Sequence, residues 1–152
     1  TIIYPGVDPY WIRHMHYFMV LFLTGFSLLS WQEMGDNEVL DIWRKVIAAG
    51  AVFTLLGALS FSVQSYSNIL AWSSASYWFL GPGIGLYLSA EHMDQYSDIY
   101  RKLGIESGIS FIAFAAGIIL SIDALTGLAI AGIMVSQTLS MILAARLDTE
   151  GE

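Results

Sequence analysis

The stretch YWIRHMHYFMVLFLTGFSLLSW, residues 10–31, carries Arg13, His14 and His16 near its start and then no charged residue to Trp31. At about 1.5 Å of rise per residue, a run of this length crosses a hydrocarbon layer about 30 Å thick. It therefore reads as a transmembrane helix over about residues 9–31, its cationic end at the headgroups. The same reading extends along the chain. Further apolar runs cover about 46–63, 69–90, 105–121 and 124–145, and the third contains GPGIG at 81–85. These runs are long and lack the alternation of a membrane barrel strand. The sequence predicts an all-α integral membrane protein, a bundle of about five transmembrane helices in one domain (residues 1–152), the third helix kinked or broken at GPGIG.

Composition agrees. The chain has 152 residues, 56 % hydrophobic and only 12 % charged, with a mean hydropathy of +0.62. Soluble domains carry about twice that share of charge, because a water-facing surface needs it. With no cysteine, disulfides, thiolate metal sites and c-type haem attachment are excluded. A net charge of −7 argues against nucleic acid and against a polybasic lipid-binding tail, since no basic stripe exists to meet phosphates.

Five crossings sort the basic residues by side. Arg44, Lys45, Arg101, Lys102 and Arg146 fall on one side and Arg13 on the other. Lysine and arginine in short loops mark the cytoplasmic side. The expectation is a plasma-membrane protein with its N-terminus outside and its C-terminus in the cytoplasm. Only SIDALTG (121–127) separates the last two runs. Fusing them would place Arg146 outside and spoil the partition. Most acidic residues join the inner side: Glu33, Asp36, Glu38, Asp41, Glu91, Asp94, Asp98, Glu106, Asp148, Glu150 and Glu152, with Asp8 and Asp123 outside. Tyr4, Tyr10, Trp11, Trp31, Trp43, Tyr66 and Trp72 sit near the proposed edges, where amphipathic rings favour the headgroup level.

The histidines offer limited chemistry. His14 and His16 lie near the outer leaflet and His92 at the inner end of the third run, roughly 25–30 Å apart by helical rise. One haem cannot take axial ligands from both levels. His14 and His16 are two residues apart, so on a helix they point to nearly opposite faces. A copper site on His14, Met15 and His16, helped by Asp8 and Met19, requires that segment to be extended rather than helical. A candidate outer polar site combines Asp8, Arg13, His14, His16 and Asp123, where imidazole would titrate in the physiological range. A candidate inner polar site combines Glu91, His92, Asp94 and Asp98, which a helical loop would line up.

No Asp, Glu, Lys, Arg or His falls at the centre of any of these five predicted spans, which weighs against a transport path in this chain alone. Small residues recur every fourth position at Gly50, Thr54, Ala58 and Ser62, and at Gly132, Ser136, Ser140 and Ala144. Such rows let helix backbones approach. Gly81, Pro82, Gly83 and Gly85 form a candidate helix-break pocket, where proline removes an amide donor and glycine relaxes the backbone.

The leading functional expectation is a non-catalytic integral membrane subunit of a larger complex, of energy-transducing or electron-transport type. It would pack against other membrane subunits and membrane lipids, and could hold lipid, quinone, haem or pigment, none of which the sequence requires. The alternatives are a homo-oligomeric channel or transporter, a haem- or copper-binding protein using His14 or His16, and a membrane sensor module.

Overall fold

Asp8 sets where the first helix begins. Its carboxylate accepts the Tyr10 backbone N–H at 2.9 Å, and Pro9 fills the first helical position, where an amide donor has no helical partner to lose. The computed structural model describes residues 8–150, with side chains described through Arg146. Tyr4, the side chains of Asp148 and Glu150, and Glu152 lie outside the described residues.

Among the described residues the fold is all-helical. It comprises α1 (Pro9–Ser30), α2 (Glu38–Leu59), α3 (Ser67–Ser89), α4 (Ser97–Ile119) and α5 (Asp123–Glu150). Short 3-10 turns at Glu33–Asp36, Gln64–Tyr66 and Ala90–His92 join the first four. Asn37 caps α2, its side-chain oxygen accepting from Val39 N–H at 2.9 Å and Leu40 N–H at 3.2 Å. Glu38 and Asp41 occupy the first turn of α2, where negative charge complements the helix dipole. α2 and α4 thus start at Glu38 and Ser97, earlier than the apolar runs that begin at 46 and 105. Helices continue into water-facing turns that hydropathy alone does not count.

The last two runs are separate helices. Leu120, Ser121 and Ile122 make the whole turn, with Ser121 at φ 55°. That left-handed conformation is uncommon for a residue with a Cβ. Ile122 N–H donates to Gly117 carbonyl at 2.8 Å. Gly117 faces Thr126, whose backbone nitrogen a Cβ at 117 would meet at 2.8 Å.

Packing follows chain order: α1 on α2, α2 on α3, α3 on α4, α4 on α5, with a small additional contact between α3 and α5. The arrangement is closer to a row than to a ring, and α1 buries only Leu23 and Ser27. Two small apolar clusters hold the middle of the row. One joins Leu86, Ala90, Tyr100 and Leu103, and the other Phe79, Phe114 and Ala129. Large apolar side chains point outward on every helix, with Leu29 85 % and Ile119 76 % exposed. Patches of this extent are not what a soluble monomer shows to water.

Four helices, Pro9–Ser30, Glu38–Leu59, Ser97–Ile119 and Asp123–Arg146, are long and apolar enough to cross a membrane. α3 has the length, about 34 Å at helical rise, but its serines, tyrosines, Gly and Pro lower its hydropathy. It packs between α2 and α4. α3 also runs unbroken from Ser67 to Ser89 with Pro82 inside it, so of the predicted kink or break at GPGIG the break is not present.

Candidate functional site

The outer residues come first. α1 is regular helix through His14, Met15 and His16, so the extended copper-binding segment does not form. His14 is exposed, with Nδ1 2.7 Å from the Tyr10 carbonyl and its ring over Tyr10 at 3.9 Å. His16 turns the other way, its Nδ1 2.8 Å from the Ile12 carbonyl and its ring edge-on to Phe61 at 5.7 Å. Gly57 of α2 makes room for it. A Cβ there would lie 2.9 Å from His16 Cδ2 and 2.6 Å from Ser74 Oγ. His16 therefore lies at the meeting of α1, α2 and α3. Asp8 caps α1, whereas Asp123 opens α5, which packs on α4. Packing of the helices does not join Asp123 to the α1 group.

On the predicted inner side, His92 Nδ1 lies 2.6 Å from Glu38 Oε2, tying the end of α3 to the start of α2. Asp98 faces Arg101 at 3.9 Å. Glu91 and Asp94 do not share a helix with Asp98: Met93 is extended, Tyr96 has φ 60°, and α4 starts at Ser97. The helical loop that would align the three is absent. Asp41 bridges Arg44 and Lys45, the latter at 2.6 Å. Among the described residues no group of three His, Asp or Glu side chains could hold a metal ion.

GPGIG is a packing surface. Gly83 and Gly104 bring α3 and α4 into backbone contact, and Gly85 lies against Val46 of α2. Pro82 is buried and Gly81 sits under the Tyr77 ring. Tyr77 stacks on Phe53 at 4.4 Å and donates its hydroxyl to the Val46 carbonyl at 2.5 Å. Trp78 donates its indole N–H to Thr54 Oγ1 at 3.1 Å, and Thr54 donates in turn to the Gly50 carbonyl at 2.7 Å. Beside this interface an open groove of about 630 Å³ is lined by Phe53, Ile69, Trp72, Tyr77, Leu80 and Ile84, among others.

The residue missed by sequence reading is Glu106. Read with the inner polar connection although the apolar run 105–121 already contains it, it lies well inside α4, nine residues after Ser97. That position puts a carboxyl inside a helix long and apolar enough to cross a membrane. Its Oε1 accepts from Ser110 Oγ at 2.5 Å, and its Oε2 is buried without a hydrogen-bond partner among the described residues. Gly132 of α5 seats the carboxyl: a Cβ at 132 would lie 2.6 Å from both Glu106 Oε1 and Ser110 Oγ. A second groove, about 350 Å³, joins Glu106 to Leu103, Leu128, Ala131, Gly132, Val135 and Ser136. The signal that could have found it is Ser97-Asp98, a helix-start pair that carries α4 back past Glu106.

No family model matches the chain, no curated protein matches it, and no solved structure matches it.

Proposed function

We propose that the chain is a non-catalytic, multi-pass subunit of a larger membrane protein complex, with its N-terminus outside and its C-terminus in the cytoplasm of a cell membrane. The observation that carries this reading is the open row of helices. α1 rests on α2 alone among its substantial contacts, and α5 mainly on α4, leaving long apolar faces for other membrane helices and for lipid. Polar groups are spent between neighbouring helices, as in Trp78 with Thr54 and Tyr100 with the Ser140 carbonyl at 3.1 Å. In this reading the groove between α2 and α3 takes the lipid, quinone or pigment. Its volume falls in the range of small-molecule sites, and aromatic side chains line it.

Glu106 favours a second reading, a homo-oligomeric transporter, because an ionisable group at membrane depth is a feature of ion pathways. It also speaks for the energy-transducing form of the first. Extraction in mild detergent and native mass measurement separate the two. Copurifying foreign chains support the subunit, and a homomer supports the transporter. A monodisperse 16.8 kDa chain carrying only detergent and lipid contradicts both.

A further inference from the structure

We infer that Glu106 is an intramembrane proton-binding site, its carboxyl held between α4 and α5 by Ser110 and the open space at Gly132.

Depth is the first support. The carboxyl lies level with Ser110 and Gly132. Ser110 is nine residues from the end of α4 at Ile119 and Gly132 nine from the start of α5 at Asp123, so both helices place it about 14 Å from the hairpin tip. Lys102 stands one turn, about 6 Å by helical rise, toward the α4 start, so the carboxyl lies between that charged turn and the apolar half of the helix.

Bonding is the second. One hydroxyl donor, Ser110 at 2.5 Å, is the hydrogen-bond partner of this carboxyl among the described residues. Ionised, the group has one hydrogen bond and an apolar wall against a charge that hydrocarbon strongly disfavours. Protonated, it loses that charge, and Ser136 lines the same groove. Ser136 itself donates to the Leu103 carbonyl at 3.1 Å.

Isolation is the third. The α5 wall contributes Leu128, Ala131, Gly132, Val135 and Ser136, none titratable, and α4 adds Leu103. From α3, the titratable group on this part of α4 is Tyr87, packed on Gly104. Toward the α4 start, Tyr100 gives its hydroxyl to the Ser140 carbonyl at 3.1 Å, and Asp98, Arg101 and Lys102 lie near the helix terminus. The ion pairs of Arg44, Lys45, His92 and Arg101 are all made with other carboxylates.

The test uses a hydrophobic carbodiimide, dicyclohexylcarbodiimide, on native membranes holding the full chain. The carboxyl oxygen bonds the central carbon of the reagent while the carboxyl proton passes to a reagent nitrogen. The resulting O-acylisourea rearranges by O-to-N acyl shift to a stable N-acylurea, with nothing released and no change of oxidation state. The expected result is an adduct on Glu106 by peptide mass spectrometry, forming more slowly as pH rises and unaffected by sodium chloride at fixed pH. Glu106→Gln loses the adduct. Gly132→Ala, whose methyl displaces the carboxyl, reduces it while the chain stays membrane-bound.

Protection by sodium at fixed pH would overturn the proposal in favour of a metal-cation site. Equal labelling by a water-soluble carbodiimide, undiminished labelling in Gly132→Ala, or no adduct on Glu106 at any pH would also overturn it. The proposal rests on α4 and α5 lying in a membrane, not on the presence of partner chains. Release of the chain by alkaline carbonate would remove the membrane reading itself, whereas a retained but unlabelled chain would remove only the role of Glu106.

Discussion

Gly83 and Gly104 face each other across the α3/α4 crossing so closely that a Cβ on Gly104 would lie 2.7 Å from the Gly83 carbonyl oxygen. The obstacle is backbone, which cannot rotate aside, so a methyl there forces the helices apart. Gly104→Ala is expected to destabilise the folded chain by about 1–3 kcal/mol, the usual range for overpacking. Gly108 on the same helix has nothing within 4 Å of its would-be Cβ. Gly108→Ala is expected to be neutral or to stabilise by up to ~1 kcal/mol through helix propensity. Unfolding of both variants in mixed detergent micelles, read by circular dichroism, gives the contrast.

Thr54→Val removes the acceptor of the Trp78 indole and keeps the side-chain shape. The expected loss is about 1 kcal/mol, in the range of interhelical hydrogen bonds inside membranes. Trp78→Phe on that background is expected to cost less than Trp78→Phe alone, because the bond is already gone. The same unfolding assay run on the double-mutant cycle reads the coupling.

Arg44 fastens the first hairpin. It donates to the Trp31 carbonyl at 2.8 Å, places its guanidinium 4.4 Å from the Trp31 ring centre, and pairs with Asp41. Arg44→Ala removes all three and is expected to raise protease cleavage between residues 31 and 37 several-fold. Arg44→Lys restores the charge but not the planar fork and its stacking, so it is expected to recover only part of the protection. Limited proteolysis of the purified chain, followed by mass spectrometry, measures both.

How much of this was legible in the sequence depends on what each signal encodes. The long apolar runs marked all five helices because a charge in hydrocarbon is costly. The same criterion misplaced the starts of α2 and α4, whose first turns carry Glu38, Asp41, Arg44 and Lys45, or Asp98, Arg101 and Lys102. Glu106 fell at the second position of the 105–121 run yet was read with the inner connection, since a carboxylate four residues after Lys102 reads as loop until the helix is extended back past it. GPGIG reads as a break because Pro82 lacks an amide proton, yet α3 continues through it and Gly83 and Gly85 serve neighbouring helices. The spacing of His14 and His16 correctly separated their faces, whereas the joining of Asp123 to the α1 group depends on helix adjacency. That information lies in tertiary packing and has no linear signature.

The central claim is that α3 crosses the membrane although it is not one of the four helices that length and composition mark as candidate spans. The chain has no cysteine, so single substitutions Asp36→Cys, Val63→Cys and Asp94→Cys in intact cells can be probed with a membrane-impermeant maleimide before and after permeabilisation. The account predicts that positions 36 and 94 react only after permeabilisation and that position 63 reacts before it. Position 94 reacting from the same side as position 63 would contradict the account, because α3 would then return to the face it left.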